Sequence, residues 1–422
     1  MYVSMKQQDL ISVENIYKAK VRLKNVAIQT PLTENTFYSE KYDCRIYFKR
    51  EDLQVVRSYK IRGAYNKMAS LSKSELANGV ICASAGNHAQ GVAFACRKLE
   101  VQGKIYMPST TPKQKIKKVK SFGGRFVEIV LNGDTFDDSY AKALAESEEN
   151  ELTFIHPFND EKVIEGQGTV GLEILEDCQE TIDYIFVAIG GGGIISGLGS
   201  YFKQMSPSTK IIGVEPLGAP GMKTSLDKGE VVTLDKLDVF VDGAAVRRVG
   251  ELNFKICQQV VDDILIVPEG KVCTSILELY NEEAIVVEPA GALSIAALDF
   301  YKEKIKGKTV VCLVGGGNND ITRMEDIKER SLLYEGIKYY FIIRFPQRAG
   351  ALRQFLNDVL GPNDDITYFE YSKKNNKNAG PALVGLELKS RADYDRLIER
   401  MEANGIDYQA INNQRMLFDF LV

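Results

Sequence analysis

Apolar positions along this chain fall into short runs of two kinds, and their alternation predicts the architecture. Residues 12–25 read as a helix, with Val13, Ile16, Tyr17, Ala19 and Lys20 near one face. Thr30-Pro31-Leu32 breaks that period. CRIYF (44–48) reads as a strand, and a helix follows Ser58 through Gly63 to Ser70. Strands and helices then alternate. VICASAG (80–86) is a strand and 88–99 an apolar helix. Strand 104–108 precedes a lysine-rich helix at 111–123, and strand 125–130 precedes a helix at 134–147. DYIFVAI (183–189) is a continuous apolar run, the pattern of a buried parallel strand. Four glycines and a helix to about Gln204 follow it. Strand 210–216, strand 262–269 with a helix behind it, and a strand running into a glycine loop over 308–318 complete the series. Strands alternating with helices of 10–15 residues predict open α/β sheets with both faces covered.

The texture changes near residue 332, after the charged run MEDIKERS, so a boundary is expected within 325–336. Beyond it come strand 337–345, helix 349–360, strands 365–371 and 382–389 joined by SKKNNKNAGP, helix 391–403 and a last strand near 407–411. That is the ferredoxin-like order, at the size of one small domain.

Composition narrows the function. A chain of 422 residues is too long for a single core. A net charge of −4 gives no reason to expect nucleic acid or an anionic membrane as partner. The seven cysteines form no CxxC pair, which reads as reduced thiols in a cytoplasmic protein and offers no structural zinc site. The N-terminal residues lack a signal-peptide pattern, and no run approaches the ~20 apolar residues of a membrane span.

Four segments carry candidate chemistry. In Arg57-Ser58-Tyr59-Lys60-Ile61-Arg62-Gly63, a lysine at a loop-to-helix junction can hold an aldehyde cofactor as a Schiff base, although a surface lysine at a helix start has the same pattern. In Ser84-Ala85-Gly86-Asn87-His88, small residues admit a ligand, backbone N–H groups at a helix start can hold a carboxylate, and Asn87 both donates and accepts. A helix cap with a structural His88 explains that segment equally well. Gly190-Gly191-Gly192-Gly193, between a buried strand and a helix, is a phosphate cradle. No GxGxxG register fits it and no P-loop is present, although Glu215 lies near the dinucleotide spacing. The fourth is Val314-Gly315-Gly316-Gly317-Asn318 at a strand end, preceded by Glu288-Pro289-Ala290-Gly291-Ala292. Ligands in such sheets bind beyond the C-terminal strand edges.

In combination, RSYKIRGA, SAGNHAQG, GGGGIISG, GVEP, EPAGA and GGGN resemble the fold-type II pyridoxal phosphate enzymes, and closely the biosynthetic threonine dehydratases, over nearly the whole chain. The resemblance implies a tryptophan synthase β-like catalytic domain of two open α/β subdomains over 1–330, the smaller about 60–160. It also implies an ACT-like regulatory domain over 337–422. It places pyridoxal 5'-phosphate on Lys60, with Asn87 at its 3-hydroxyl oxygen, Gly190, Gly191, Gly192 and Gly193 at its phosphate, and Gly315 at its ring nitrogen. Ser84, Ala85, Gly86, Asn87 and His88 would receive the substrate carboxylate, and Lys60 and Ser84 would be the catalytic pair. Glu215 and Ala219 match a monovalent or divalent cation site in related enzymes. The family usually has serine where this chain has Gly315, which predicts weaker cofactor binding. The implied activity is threonine dehydration and deamination, the first step of isoleucine biosynthesis. Isoleucine or valine would act as effector at the 346–352 turn, in a homodimer or homotetramer.

Serine dehydration or racemisation is the nearest alternative, since Ser84 could supply a second acid or base. A non-catalytic amino-acid sensor is the rival from another class, and retention of Lys60 argues against it. An oxidoreductase would leave Lys60 and the 84–91 segment without roles.

Overall fold

The computed structural model describes residues 10–371 and 379–421. The chain divides into two compact units, Met1–Asp320 and Ile321–Val422. The first holds two sheets. The larger has six strands in the order Leu32–Glu34, Arg45–Arg50, Thr309–Val314, Tyr184–Ala188, Lys210–Pro216 and Asp263–Val267. All neighbours are parallel except the outer pair Leu32–Glu34 and Arg45–Arg50. The smaller is fully parallel, in the order Val127–Leu131, Gly103–Met107, Val80–Ala83 and Thr153–Phe154. Both match the expected α/β class. The apolar runs become strands because helices cover both faces: Ile185, Val187 and Ile211 lie in one core with Ile195 and Leu198 of the helix Gly193–Met205. Val80, Cys82 and Ile105 pack with Val92 and Cys96 of the helix Asn87–Leu99.

Two details depart from the expected pattern. In the first helix, Val13–Leu23, the buried face is Ile16, Ala19 and Leu23, and Tyr17 is exposed. The 17-residue helix Glu161–Asp177, with no counterpart in the sequence reading, runs through the centre of the unit. Its glycines 166, 168 and 171 look like breakers, yet each is a contact point. A Cβ at Gly166 would sit 2.5 Å from the Arg62 carbonyl oxygen, and one at Gly168 would press on Ile16 and the Gly197 carbonyl. The glycines let helices Lys60–Ala69 and Gly193–Met205 approach this helix closely, which offsets a propensity cost of about 1 kcal/mol each.

The second unit opens with the helix Met324–Glu335, followed by a four-stranded antiparallel sheet in the order Asp365–Tyr371, Ala379–Glu387, Lys338–Pro346 and Tyr408–Ala410. This is the ferredoxin-like arrangement, with helices Ala351–Asp358 and Asp393–Ala403 closing its core through Phe355, Leu397 and Met401. The third strand begins at Ala379 rather than 382, so Gly380 and Pro381 pair with Phe345 and Arg344. Of the expected loop SKKNNKNAGP, residues 372–378 lie outside the described residues.

Candidate active site

The four sequence segments meet where the two sheets of the first unit face each other. Lys60 is the first residue of the helix Lys60–Ala69. The turn before it is stitched onto the glycine loop after the strand Thr309–Val314. Tyr59 N–H donates to the Gly315 carbonyl at 3.2 Å, Gly317 N–H donates to the Arg57 carbonyl at 2.9 Å, and Ser58 bridges Gly316. Arg57 takes a left-handed φ of 57° there, a conformation that costs a non-glycine residue about 1–2 kcal/mol. Gly91 is the close-approach residue, since a Cβ there would lie 3.1 Å from the Lys60 carbonyl oxygen.

The Lys60 ammonium donates to the Pro157 carbonyl at 2.9 Å and lies 5.5 Å from the centre of the Tyr59 ring. Burial pushes its pKa down to about 8, against an opposing pull from Glu288. Glu288 is buried, and burial together with Asp242 pushes its carboxyl up to about 7 despite a hydrogen bond from Asn87. That bond, Asn87 Nδ2 to Glu288 Oε1, is 2.6 Å. The other end of the Asn87 amide accepts from Asn318 Nδ2 at 2.7 Å.

Ser84, Ala85, Gly86 and Asn87 form the turn from the strand Val80–Ala83 into the helix Asn87–Leu99, which has no side-chain cap. A Cβ on Gly86 would meet nothing within 4 Å, so this helix end faces open space. Ser84 Oγ accepts from Gly86 N–H at 3.2 Å and keeps its own hydrogen to donate. The His88 ring leaves the turn: it is buried, with Nε2 against the Ile155 carbonyl at 2.8 Å, and burial pushes its pKa down to about 3.

In the glycine run, Gly192 has φ +94°, and a side chain on Gly191 would drive into the Phe158 ring. The N–H groups of Gly190, Gly191 and Gly192 donate to no acceptor among the described residues. Buried backbone donors are nearly always paired, so three free N–H groups in a side-chain-free loop suit an anion. Pro157, which holds Lys60, and Phe158, which packs on Gly191, are adjacent, so the lysine and the cradle share one support. His156 braces that support by accepting from the N–H groups of Phe158 and Asn159 at 3.2 and 2.8 Å. Burial pushes its pKa down to about 4. An amine, an amide facing a strand-end glycine loop and an unpaired anion cradle fit pyridoxal phosphate in polarity.

At Gly315 a Cβ would meet two Tyr59 ring carbons at 3.5 Å, ordinary contact, so a serine has room there. Glu215 sits apart from the lysine. Both its oxygens accept backbone N–H groups, from Met222 at 2.7 Å and Lys223 at 2.8 Å, at the start of the helix Gly221–Lys228. Burial pushes its carboxyl up to about 7. Ala219 is buried nearby, with its N–H donated to the Pro216 carbonyl. Among the described residues no group of three or more His, Cys, Asp or Glu could hold a metal ion.

Sequence reasoning assigned no role to Glu288 or Asn318, although both stand in quoted motifs. It missed His156, Pro157 and Phe158 entirely, because IHPF carries no local signal: its roles arise from backbone groups and a ring edge.

Residues 23–316 match the family of pyridoxal-phosphate dependent enzymes, and residues 329–421 match the C-terminal regulatory domain of threonine dehydratase. The chain is 60% identical over 418 residues to the biosynthetic L-threonine dehydratase of Bacillus subtilis, covering 99% of each chain. It is 59% identical over 412 residues to that of Halalkalibacterium halodurans, covering 98% of this chain and 99% of the other. The processed threonine deaminase isoform 2 of Solanum lycopersicum has the same fold, with a TM-score of 0.72 and 41% identity, over 79% of this chain and 92% of that one. On sequence, on fold and on the two domains in this order, the chain belongs to the pyridoxal-phosphate-dependent threonine dehydratase family.

Proposed function

We propose that this protein dehydrates and deaminates L-threonine to 2-oxobutanoate and ammonia, using pyridoxal phosphate bound at Lys60. The observation that carries the reading is the Lys60 amine, half-buried, lowered to about 8 and held by a carbonyl where Asn87, Gly315 and the support of the glycine cradle converge. A lysine tuned toward 7–8 has a usable neutral fraction at neutral pH and is suited to take a proton.

Gly190, Gly191, Gly192 and Gly193 hold the cofactor phosphate through their N–H groups, aided by the start of the helix Gly193–Met205. The Asn87 amide donates to the cofactor's 3-oxygen. The bound cofactor delocalises the electron pair left at the substrate α-carbon. The uncapped start of the helix Asn87–Leu99, with Ser84 Oγ and the 85–88 backbone, receives the substrate carboxylate. Lys60 Nζ, held by the Pro157 carbonyl, would take the α-proton, and its fixed position beside the substrate would supply most of the advantage. Glu215 and Ala219 remain our candidate cation ligands, through the Ala219 carbonyl and the Glu215 lone pairs that the Met222 and Lys223 N–H groups leave open.

Residues 321–422 are the regulatory unit, with isoleucine or valine as effector at the Pro346–Leu352 turn. The active form is a homo-oligomer, dimeric or tetrameric. The cytoplasm is our assignment, supported by seven free cysteines; no described helix is long and apolar enough to cross a membrane.

The test is an assay of 2-oxobutanoate formation from threonine with isoleucine and valine titrated in, run beside Lys60→Ala. Threonine turnover that is abolished in the variant and altered by either effector is expected. Purified protein that binds the cofactor at Lys60 yet forms no 2-oxobutanoate would sink the reading.

A further inference from the structure

A side-chain amide can turn over at little steric cost, so its polarity at a site must be enforced by neighbours whose own polarity is fixed. Asn87 lies between two such candidates. Glu288, at the Nδ2 end, is a poor enforcer: a carboxyl raised to about 7 spends much of its time protonated near neutrality, and it can then donate as well as accept. Asn318, at the Oδ1 end, is itself locked. Its Nδ2 donates to the Val56 carbonyl at 2.9 Å, and a carbonyl can only accept. Its Oδ1 accepts from the Lys118 ammonium at 3.1 Å, and an ammonium can only donate. Asn318 therefore presents N–H, and nothing else, to Asn87. The contact also crosses between the sheets: Asn87 and Lys118 follow strands of the smaller sheet, Asn318 a strand of the larger.

We propose that Asn318 is a positioning residue that sets the orientation of the Asn87 amide, turning its nitrogen toward the cofactor's 3-oxygen. The proposal rests on the reading that the cofactor occupies Lys60. Asn318 touches neither cofactor nor substrate in this account; it acts through Asn87. With Oδ1 held by Asn318, both Asn87 N–H bonds are available, one to Glu288 and one to an ionised phenolic oxygen. Were Asn318 to present an acceptor instead, the Asn87 amide would turn over and place its own oxygen against that anion.

The test uses the holoenzyme of the full chain. Asn318→Asp keeps the size and replaces the donor with an acceptor, and Asn318→Ala, carried in parallel, removes it. Cofactor dissociation constants are measured by titrating apoenzyme, and the visible band of the ionised cofactor is compared with the near-ultraviolet band of its neutral phenol form. Asn318→Asp should weaken cofactor binding about tenfold and shift intensity toward the neutral form; Asn318→Ala should do the same about fivefold. Each effect should vanish in an Asn87→Ala background, because a residue acting through Asn87 has nothing left to position. If the aspartate variant fails to fold, the alanine cycle decides. Unchanged affinity and spectrum, or losses equally large without Asn87, would overturn the proposal. A wild-type protein lacking any visible band that Lys60→Ala abolishes would instead overturn the underlying cofactor reading, and this inference with it.

Discussion

Replacing Arg62 with methionine should be among the most destabilising single changes in the first unit, for electrostatic rather than steric reasons. Arg62 sits two residues beyond Lys60 and is 1% exposed. Its guanidinium grips Glu51 through two bonds of 2.8 and 2.7 Å and Glu173 through two of 2.6 and 2.8 Å. It also donates to Thr169 Oγ1 and the Ile28 carbonyl. Burial works against the Glu173 carboxylate, yet Arg62 and Lys49 hold it below its usual pKa. Methionine fills most of the stem volume but leaves Glu51, itself fully buried, with only the Thr30 hydroxyl and the Gln54 amide. Removing one partner of such a buried pair costs about 3–5 kcal/mol, because the remaining charge is uncompensated. A domain holds about 5–15 kcal/mol in all. Urea unfolding of the apoprotein, followed by circular dichroism, reads the loss. The double variant Arg62→Met/Glu51→Gln, without the stranded charge, should regain about 1–3 kcal/mol. A loss below about 1 kcal/mol, the value of an exposed pair, or a double variant weaker than the single, would refute the reasoning.

Gly315→Ser should fold with near-normal stability and hold the cofactor about fivefold more tightly, since its Cβ has room beside Tyr59 and one neutral hydrogen bond is worth about 1 kcal/mol; weaker binding in an apoenzyme titration would contradict this. Gly191→Val should cost about 1–3 kcal/mol by overpacking against Phe158, and Phe158→Ala should relieve part of it, so two independent losses would count against the packing account. For pH, His88 and His156 sit below their usual 6.5, which removes stability as pH falls under that value, while Glu215 and Glu288 sit above their usual 4.5, which adds stability over the same window. The pairs offset, so apoprotein stability should be nearly flat between the two values, and Glu215→Gln should tilt it toward acid loss by about 1.4 kcal/mol per pH unit; an untilted urea-midpoint profile would exclude this balance.

The parts of the fold that were legible in the sequence are those where one local pattern dominates. Strands such as Tyr184–Ala188 and Lys210–Pro216 are short apolar runs bounded by glycine or a charge, and the structure places them within a residue of the expected limits. The helix Glu161–Asp177 was not legible because its glycines at 166, 168 and 171 serve partners far away in sequence, Arg62, Ile16 and Leu198. Helices Gly221–Lys228 and Glu251–Val260 were lost similarly, in a stretch whose backbone is pinned by Glu215 and Asn159 rather than by periodicity.

The same division runs through the site. The run Gly190–Gly193 advertises itself, since four glycines at a strand end have few structural reasons to be there, whereas Lys60 and Asn87 stand out only through the coincidence of their segments with it. The groups that set their properties do not. Pro157 contributes a carbonyl, His156 a ring nitrogen that accepts two backbone N–H groups, and Asn318 a fixed polarity inherited from Val56 and Lys118. The His156 contacts lie within one local turn, two and three residues on, whereas those of Pro157 and Asn318 depend on which strands lie side by side. Candidate reactive groups can thus be named from residue type and from motifs in combination, whereas their tuning, a lysine lowered to about 8 beside a carboxyl raised to about 7, is a property of how the two sheets face each other and becomes visible only with the fold.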